Sequence, residues 1–280
     1  MFISFLTNAL LSTMKVVIGF FSKSSALVAD GIHSFSDLIT DVVALFGNVL
    51  ARKPEDKKHP FGHGRIEYVT SAMIGIIVIM IGLFLIFSVV QKEIEIPSKI
   101  VIVVSLFTIA SKFIVSRYLI RKGRELDNQI LIASGKESST DVISSIVVLI
   151  ASILIQFEGY FHPFLYADKV ASVIVGLFII HTGFMILKEN ISILIGEKES
   201  NTAYYEEVKN IILESELIHR IDNLIIMKYG YFYSLTVEVS MNSDLSLKEA
   251  HDEIEAIEQK LKQKNERTKY IHIHMNPYYE

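Results

Sequence analysis

The sequence predicts an α-helical membrane protein with six transmembrane helices and a C-terminal cytoplasmic α+β domain. Hydrophobic residues make up 51% of the 280 residues, and the mean hydropathy of +0.41 is too high for an ordinary soluble domain. Apolar stretches of about 20 residues, enough to cross a hydrocarbon core of about 30 Å, can be placed six times. Near residue 196 the pattern becomes that of a small soluble domain. We therefore expect a transmembrane domain over 1–195 and a cytoplasmic domain over 196–280.

The six predicted spans are not equally apolar. The third contains no Asp, Glu, Lys or Arg from Tyr68 to Gln91, and the sixth contains none from Val170 to Leu187. The second and fifth carry several polar residues. The predicted ranges are 2–21, 25–50, 68–91, 98–120, 128–156 and 167–188.

Basic residues in the connecting loops predict the orientation of the chain. The loops after spans 2 and 4 carry most of them: Arg52, Lys53, Lys57, Lys58, Arg65, Arg117, Arg121, Lys122 and Arg124. The opposite loops carry only Lys23, Lys92, Lys99 and Lys169. By the positive-inside rule, we expect a multi-pass protein of the cell membrane with both termini in the cytoplasm. Because the first basic residue is Lys15, the first span lacks the positive segment of a cleaved signal peptide and is interpreted as a retained helix.

The region after residue 196 predicts the element order αββαβ. Helices are expected at about 203–215 and 246–263, and strands at 222–229, 232–240 and 269–275. Ser246 and Glu249 fit a capping box at the start of the second helix. A domain of about 85 residues buries only a modest fraction of its surface, so pairing with a second copy would help to stabilise it.

Composition excludes several classes of function. The absence of cysteine leaves His, Asp, Glu, carbonyl groups and water as metal ligands, which favours a hard or borderline metal. The net charge of −4 and the lack of a basic stripe argue against nucleic-acid binding. The sequence contains no nucleotide-binding glycine loop, nucleophile elbow or zinc-protease helix, so we do not expect an enzyme or an organic cofactor.

Two pairs of metal-ligand residues lie on predicted spans. His33 and Asp37 are on the second span, and Glu137 and Asp141 are on the fifth; each pair has i, i+4 spacing and shares one helix face. If the two spans face each other, four ligands meet at membrane depth, which suits Zn(II), Mn(II) or Fe(II). The alternative is that these groups hydrogen-bond to Ser, Thr and Lys136 and only hold helices together.

Other ionisable residues lie near this predicted site. Asp30 and Asp41 extend the same helix face and are candidates for an access path, although Asp41 equally suits a water-filled cavity without a metal role. Lys15 and Lys112 are intramembrane cations, and we expect them to be counter-ions of the carboxylates.

A second candidate site lies in the loop between spans 2 and 3. Asp56, His59 and His63 are close in sequence and are of the residue types that bind a divalent ion. The alternative is a solvated turn that happens to contain histidine.

The third candidate site lies in the tail. His272 and His274 alternate along one strand and share a face, whereas His219, Glu238 and His251 are on other elements of the same domain. A cluster across these elements is possible, and the alternative is a set of separate surface residues. His162 and His181 are assigned no role.

The chain resembles the cation diffusion facilitators, a family of membrane exporters of divalent transition metals. The resemblance lies in residues 26–37 (ALVADGIHSFSD), 59–67 (HPFGHGRIE) and 139–141 (STD), together with the six spans and the αββαβ tail. Members of this family begin with a short cytoplasmic lead that this chain lacks, so the expectation is that the start is truncated.

The resemblance implies a homodimer in which each protomer carries metal across the membrane by alternating access, in exchange for protons. It implies a transport site at His33, Asp37, Glu137 and Asp141, and a loop site at Asp56, His59 and His63. It also implies that the tail has a metallochaperone-like fold and binds metal at His219, Glu238, His251 and His274.

Three positions depart from the family pattern. Zinc-transporting members commonly have His where this chain has Glu137, and the extra carboxylate brings manganese or iron into competition with zinc. Glu238 stands where the family often has His, and Asn276 where it often has Asp. These two differences imply a weakened or single-metal tail site.

The sequence thus predicts efflux of zinc, manganese or iron by proton-coupled antiport across a lipid bilayer. Metal would displace protons from His33 and the carboxylates, because tight binding needs deprotonated ligands. One alternative is a membrane metal sensor that transports nothing. Another is an importer or channel, since spacing alone does not show the direction of flux. Ligands at membrane depth favour transport, because a sensor has no need of them.

Overall fold

A computed structural model describes residues 2–51, 53, 55–125, 129–199, 201–230 and 232–279. Six long helices form its first part. They coincide with the six predicted spans, and they are α1 (Phe2–Phe21), α2 (Ser25–Ala51), α3 (Ile66–Gln91), α4 (Ile100–Glu125), α5 (Gln129–Leu154) and α6 (Ala167–Leu194).

The structure contains four helical segments long and apolar enough to cross a membrane, among the residues it describes. They are Ile66–Gln91, Ile100–Glu125, Ser134–Phe157 and His162–Leu194, and a shorter apolar helix covers Phe5–Phe21. The chain is therefore a multi-pass membrane protein. The crossing of α1 and α2 stays a prediction.

The chain divides into two compact units. The first comprises residues 1–43 and 73–187, and the second comprises 44–72 and 188–280. The loop between α2 and α3 therefore belongs to the same unit as the C-terminal domain. The predicted domain boundary near residue 196 stays a prediction.

Glycines bring α3 and α6 into close contact in the first unit. A Cβ atom added at Gly75 would lie 2.8 Å from the carbonyl oxygen of Gly183, and one added at Gly82 would lie 3.1 Å from that of Gly176. Both pairs are seven residues apart on their helices, so they share one face of each. Small residues of this kind let helix backbones approach closely in membranes.

The second unit contains the predicted αββαβ fold. Its elements are α7 (Thr202–Leu213), β1 (Ile218–Tyr229), β2 (Phe232–Asn242), α8 (Leu247–Lys264) and β3 (Thr268–Tyr278). Strand β2 pairs antiparallel with β1 and parallel with β3, and α8 makes the crossover. The predicted capping box is confirmed, with Ser246 as the N-cap of α8 and Glu249 as its partner.

One face of this sheet forms the core. Leu235, Val237 and Val239 alternate along β2 and are fully buried, together with Ile212 of α7 and Ile257 of α8. The residues between them on β2, including Glu238, therefore point to the opposite face.

The loop between α2 and α3, together with the first turn of α3, packs against the β1–β2 turn. Gly230 has a φ of +62°, which favours glycine, and its N–H donates to the Tyr68 hydroxyl at 3.0 Å. A Cβ on Gly64 would lie 2.1 Å from the carbonyl oxygen of Tyr229, so only glycine fits there. The Phe61 ring contacts Tyr229, with centroids 5.9 Å apart.

Candidate metal centre

The structure brings three of the four predicted transport ligands together. The ligand atoms of His33, Asp37 and Asp141 all lie within 4.8 Å of one another. His33 and Asp141 are buried, and Asp37 is partly buried. The i, i+4 spacing puts His33 and Asp37 on one face of α2, and α5 presents Asp141 to that face.

The geometry of this group suits a small divalent cation. Tetrahedral ligand atoms about 2.0–2.2 Å from a zinc-like ion lie about 3.3–3.6 Å apart, so these three side chains, already within 4.8 Å of one another, need to move by only about 1 Å to hold one ion. His33 Nδ1 is buried and has no hydrogen-bond partner within the described part of the chain. Because buried polar atoms are normally paired, this nitrogen is available to a ligand.

Glu137, the fourth predicted ligand, lies outside the residues whose side chains the structure describes, and so does Asp41. The backbone of Glu137 is helical, one turn before Asp141 on α5. Its participation stays a prediction.

A cavity of about 380 Å³ opens onto the three ligands. Besides His33, Asp37 and Asp141, its walls include Phe178, His181 and Thr182 of α6. His181 has no role predicted from the sequence. Its spacing from Phe178 indicates a shared helix face, but only the packing of α6 shows that this face borders the cavity.

Both buried lysines pair with carboxylates, as predicted. Lys112 Nζ lies 2.5 Å from Asp141 Oδ2, and Lys15 Nζ lies 2.7 Å from Asp30 Oδ2. Asp30 also accepts hydrogen bonds from the hydroxyls of Ser144 and Ser145. Asp30 thus belongs to a separate polar network rather than to the group of three ligands.

The predicted loop residues also lie together. Asp56 Oδ1 is 3.1 Å from His59 Nδ1, and Asp56 Oδ2 is 3.4 Å from His63 Nε2. The backbone N–H groups of His59 and Lys58 donate to Asp56 and hold the pKa of its carboxyl below the usual value. The carboxylate therefore stays ionised, as a metal ligand must.

The four predicted tail residues do not form a cluster within one chain. Glu238 and His274 are paired across β2 and β3. The His219 ring instead stacks on Tyr278, with centroids 4.4 Å apart, and His251 lies exposed on α8. Within the described ranges, these residues make no group of three able to hold an ion. The alternation of side chains along a strand predicts which strand residues share a face of the sheet. It does not predict that α8, which carries His251, covers the opposite face.

Asn276 takes part in a different contact. Its side-chain amide donates to Asp222 Oδ2 at 3.0 Å, and the Ser240 hydroxyl donates to the same oxygen at 2.7 Å. The Ser240 hydroxyl, followed by the Asn276 amide, lowers the pKa of Asp222.

Two family models match this chain. A family model described as "Cation efflux transmembrane domain" matches residues 1–195, and one described as "Cation efflux protein, cytoplasmic domain" matches 201–278. Among solved structures, a cadmium form of the MamM C-terminal domain is similar to 28% of this chain and 98% of its own length, with 13% identity and a TM-score of 0.27.

Curated relatives match almost the whole chain. The manganese efflux system protein MneP of Bacillus subtilis is 28% identical over 99% of this chain and 95% of its own length. An uncharacterized transporter of Methanocaldococcus jannaschii is 31% identical, with coverage of 97% and 95%. A cadmium, cobalt and zinc/H(+)-K(+) antiporter of Bacillus velezensis is 26% identical, with coverage of 92% and 82%. With the family models, the helices and the ligand group in agreement, the chain belongs to the cation diffusion facilitator family of metal efflux transporters, and is not an enzyme.

Proposed function

We propose that this protein exports a divalent transition metal from the cytoplasm in exchange for protons. The proposed transport site is His33, Asp37, Glu137 and Asp141. The observation that carries the proposal is the buried group of His33, Asp37 and Asp141 on two membrane helices. Ionisable side chains at membrane depth are costly, and they typically mark ion pathways.

Metal and protons would compete for the same ligands. The imidazole and the carboxylates bind metal tightly only when they are deprotonated, so loading releases protons and reprotonation releases the metal. Of the common side chains, an imidazole most readily gains and loses a proton near neutral pH, which suits this exchange. Alternating access of the cavity to the two sides of the membrane would turn this competition into transport.

Manganese is the metal that we propose first, with zinc and iron as competitors. Three carboxylates and one imidazole form a harder ligand set than one with two histidines, and harder sets favour Mn(II) more. The names of the relatives are consistent with manganese and with zinc, since one relative is a manganese efflux protein and another is an antiporter for cadmium, cobalt and zinc.

The two domains have different proposed roles. Residues 1–195 carry out transport, and 196–280 bind metal and dimerise. Both termini lie in the cytoplasm, and the protein acts as a homodimer in the cell membrane. The loop site is proposed at Asp56, His59 and His63. In the tail, an ion at His219, Glu238, His251 and His274 needs a rearrangement or ligands from the second protomer, because these residues are separated within one chain.

The test is metal flux into proteoliposomes under a pH gradient. We would compare Mn(II), Zn(II) and Fe(II) for the native protein, Asp37→Ala and Glu137→His. We expect gradient-dependent flux in the native protein, none in Asp37→Ala, and a shift toward zinc in Glu137→His. Asp244→Ala, which changes an exposed carboxylate in a turn, is the control and should transport normally.

Two results would contradict the proposal. Flux that persists in Asp37→Ala would exclude this transport site. Metal binding by the native protein without flux of any metal would favour a sensor that transports nothing.

A further inference from the structure

Lys112 contacts a proposed metal ligand directly, although a lysine ammonium cannot itself bind metal. Its Nζ lies 2.5 Å from Asp141 Oδ2, and the two side chains are only 2% and 6% exposed. The ammonium therefore occupies one of the two carboxylate oxygens of a proposed metal ligand and neutralises its charge. Burial makes this charge pair persistent, because solvent screens it little.

The second buried lysine provides a contrast within the same bundle. Lys15 donates to Ser145 and Ser34 as well as pairing with Asp30, and Asp30 accepts from Ser144 and Ser145. The hydroxyl groups of Ser34, Ser144 and Ser145 therefore hold both charges of that pair in place. For Lys112, Asp141 is the one hydrogen-bond acceptor found among the described residues. The Lys112 ammonium is therefore the less constrained of the two.

Helix α4 offers other positions for this ammonium. Thr108 and Ser116 lie one turn before and one turn after Lys112, and both are buried. Their hydroxyls donate to the carbonyl groups of Ser105 and Gly135, so their oxygen lone pairs stay available as acceptors. One helical turn is about 5.4 Å, which a four-carbon side chain can span by changing rotamer.

We propose that Lys112 is a tethered cation that competes with the transported metal for Asp141. The ammonium pairs with Asp141 when the site is empty, and it moves to Thr108 or Ser116 when metal binds. This inference rests on the proposed transport site, and it adds a residue that sets how tightly the site holds its metal.

The competition has two opposite consequences for transport. Metal binds only the fraction of molecules in which the ammonium has left Asp141; if that fraction is about one tenth, the apparent affinity is about tenfold weaker than the intrinsic affinity. In return, the ammonium neutralises the buried Asp141 carboxylate while the metal-free transporter changes back to its starting conformation. Lysine thus weakens metal binding and speeds turnover.

The experiment measures Mn(II) binding to the full-length protein in detergent, by equilibrium dialysis. The transport-site component is the part lost in Asp37→Ala. For that component we expect Lys112→Met to lower the dissociation constant about tenfold. In proteoliposomes the same variant should show a lower KM and a lower maximal rate.

Lys112→Arg distinguishes competition for Asp141 from a purely electrostatic effect of the positive charge. Guanidinium binds carboxylate through two parallel hydrogen bonds, so an arginine competitor should hold Asp141 more firmly and raise the dissociation constant above the native value. If the positive charge acted only through its field, arginine and lysine would give the same constant. Should Lys112→Met not fold, Lys112→Gln and Lys112→Arg test the same order of affinities.

The control is Lys15→Met combined with Asp30→Leu, which removes the other buried pair without changing the net charge. Its dissociation constant should equal the native one. An unchanged or weaker affinity in Lys112→Met, or equal constants for lysine and arginine, would overturn the inference and leave the transport site intact. Absence of any Asp37-dependent binding in the native protein would overturn the transport site and this inference with it.

Discussion

Replacing Lys15 by methionine tests whether the Lys15–Asp30 pair holds α1 against the rest of the first unit. Both side chains are almost fully buried, with exposures of 0% and 1%, and their charged atoms lie 2.7 Å apart. Lys15→Met leaves the Asp30 carboxylate buried and uncompensated. Removing one partner of such a pair typically costs about 3–5 kcal/mol.

The hydroxyl groups around Asp30 narrow the range of stability loss expected for Lys15→Met. Ser144 and Ser145 donate to Asp30 at 2.6 and 2.8 Å, and both bonds survive the substitution. Each hydrogen bond to a charged group is worth about 1.5–3 kcal/mol, so the carboxylate is not left bare. We therefore expect a loss at the lower end, about 3 kcal/mol.

The assay is the free energy of unfolding of the full-length protein, titrated with a denaturing detergent and followed by circular dichroism. A second protein carries both Lys15→Met and Asp30→Leu, which removes the whole pair, and its stability should lie within about 1 kcal/mol of the native value, since apolar replacement of a buried pair is often neutral. A single-variant loss below about 1 kcal/mol, or a double variant worse than the single one, would refute the reasoning.

Two further predictions concern helix packing and pH. Gly75→Ala should destabilise the protein by about 1–3 kcal/mol, because its Cβ would lie 2.8 Å from the carbonyl oxygen of Gly183; Gly159→Ala, which meets no atom within 4 Å, is the matched control in the same unfolding titration. Hydrogen bonds from Ser240 and then Asn276 lower the pKa of Asp222 in the folded protein. The stability that these bonds contribute is therefore complete above the usual Asp pKa of 3.8, and it is lost as the pH falls through the lower pKa of the folded state. Melting curves of native protein and Asp222→Asn should therefore converge in acid, and a constant separation at every pH would contradict this.

The hydrophobic pattern predicted the six long helices because about 20 consecutive apolar residues have few alternatives in a membrane protein. Helix ends were less predictable. Helix α6 continues to Leu194, beyond the predicted end at 188. The prediction followed the apolar residues, whereas the more polar residues after them are helical too. Strand β1 begins at Ile218 rather than at 222, since its pairing with β2 continues through two irregularities in register.

The same contrast applies to the sites. The i, i+4 spacing on α2 and the short sequence separations in the loop predicted local neighbours, and the structure places those neighbours together. The contact between Lys112 and Asp141 joins two helices, and sequence spacing alone does not determine which faces of α4 and α5 meet. The residues of the tail failed to cluster for a related reason, because His251 lies on a helix that covers the core face of the sheet.

The packing of the α2–α3 loop on the β1–β2 turn has a consequence for biosynthesis. Tyr68 and Gly230, which hydrogen-bond to each other, are 162 residues apart in sequence. At a translation rate of about 5–20 residues per second, the loop waits about 8–30 s before its partner strand exists. The neighbouring Asp56, His59 and His63 therefore lack this support while the helices are being inserted. The loop reaches its native packing only late in synthesis, after the C-terminal domain has been made.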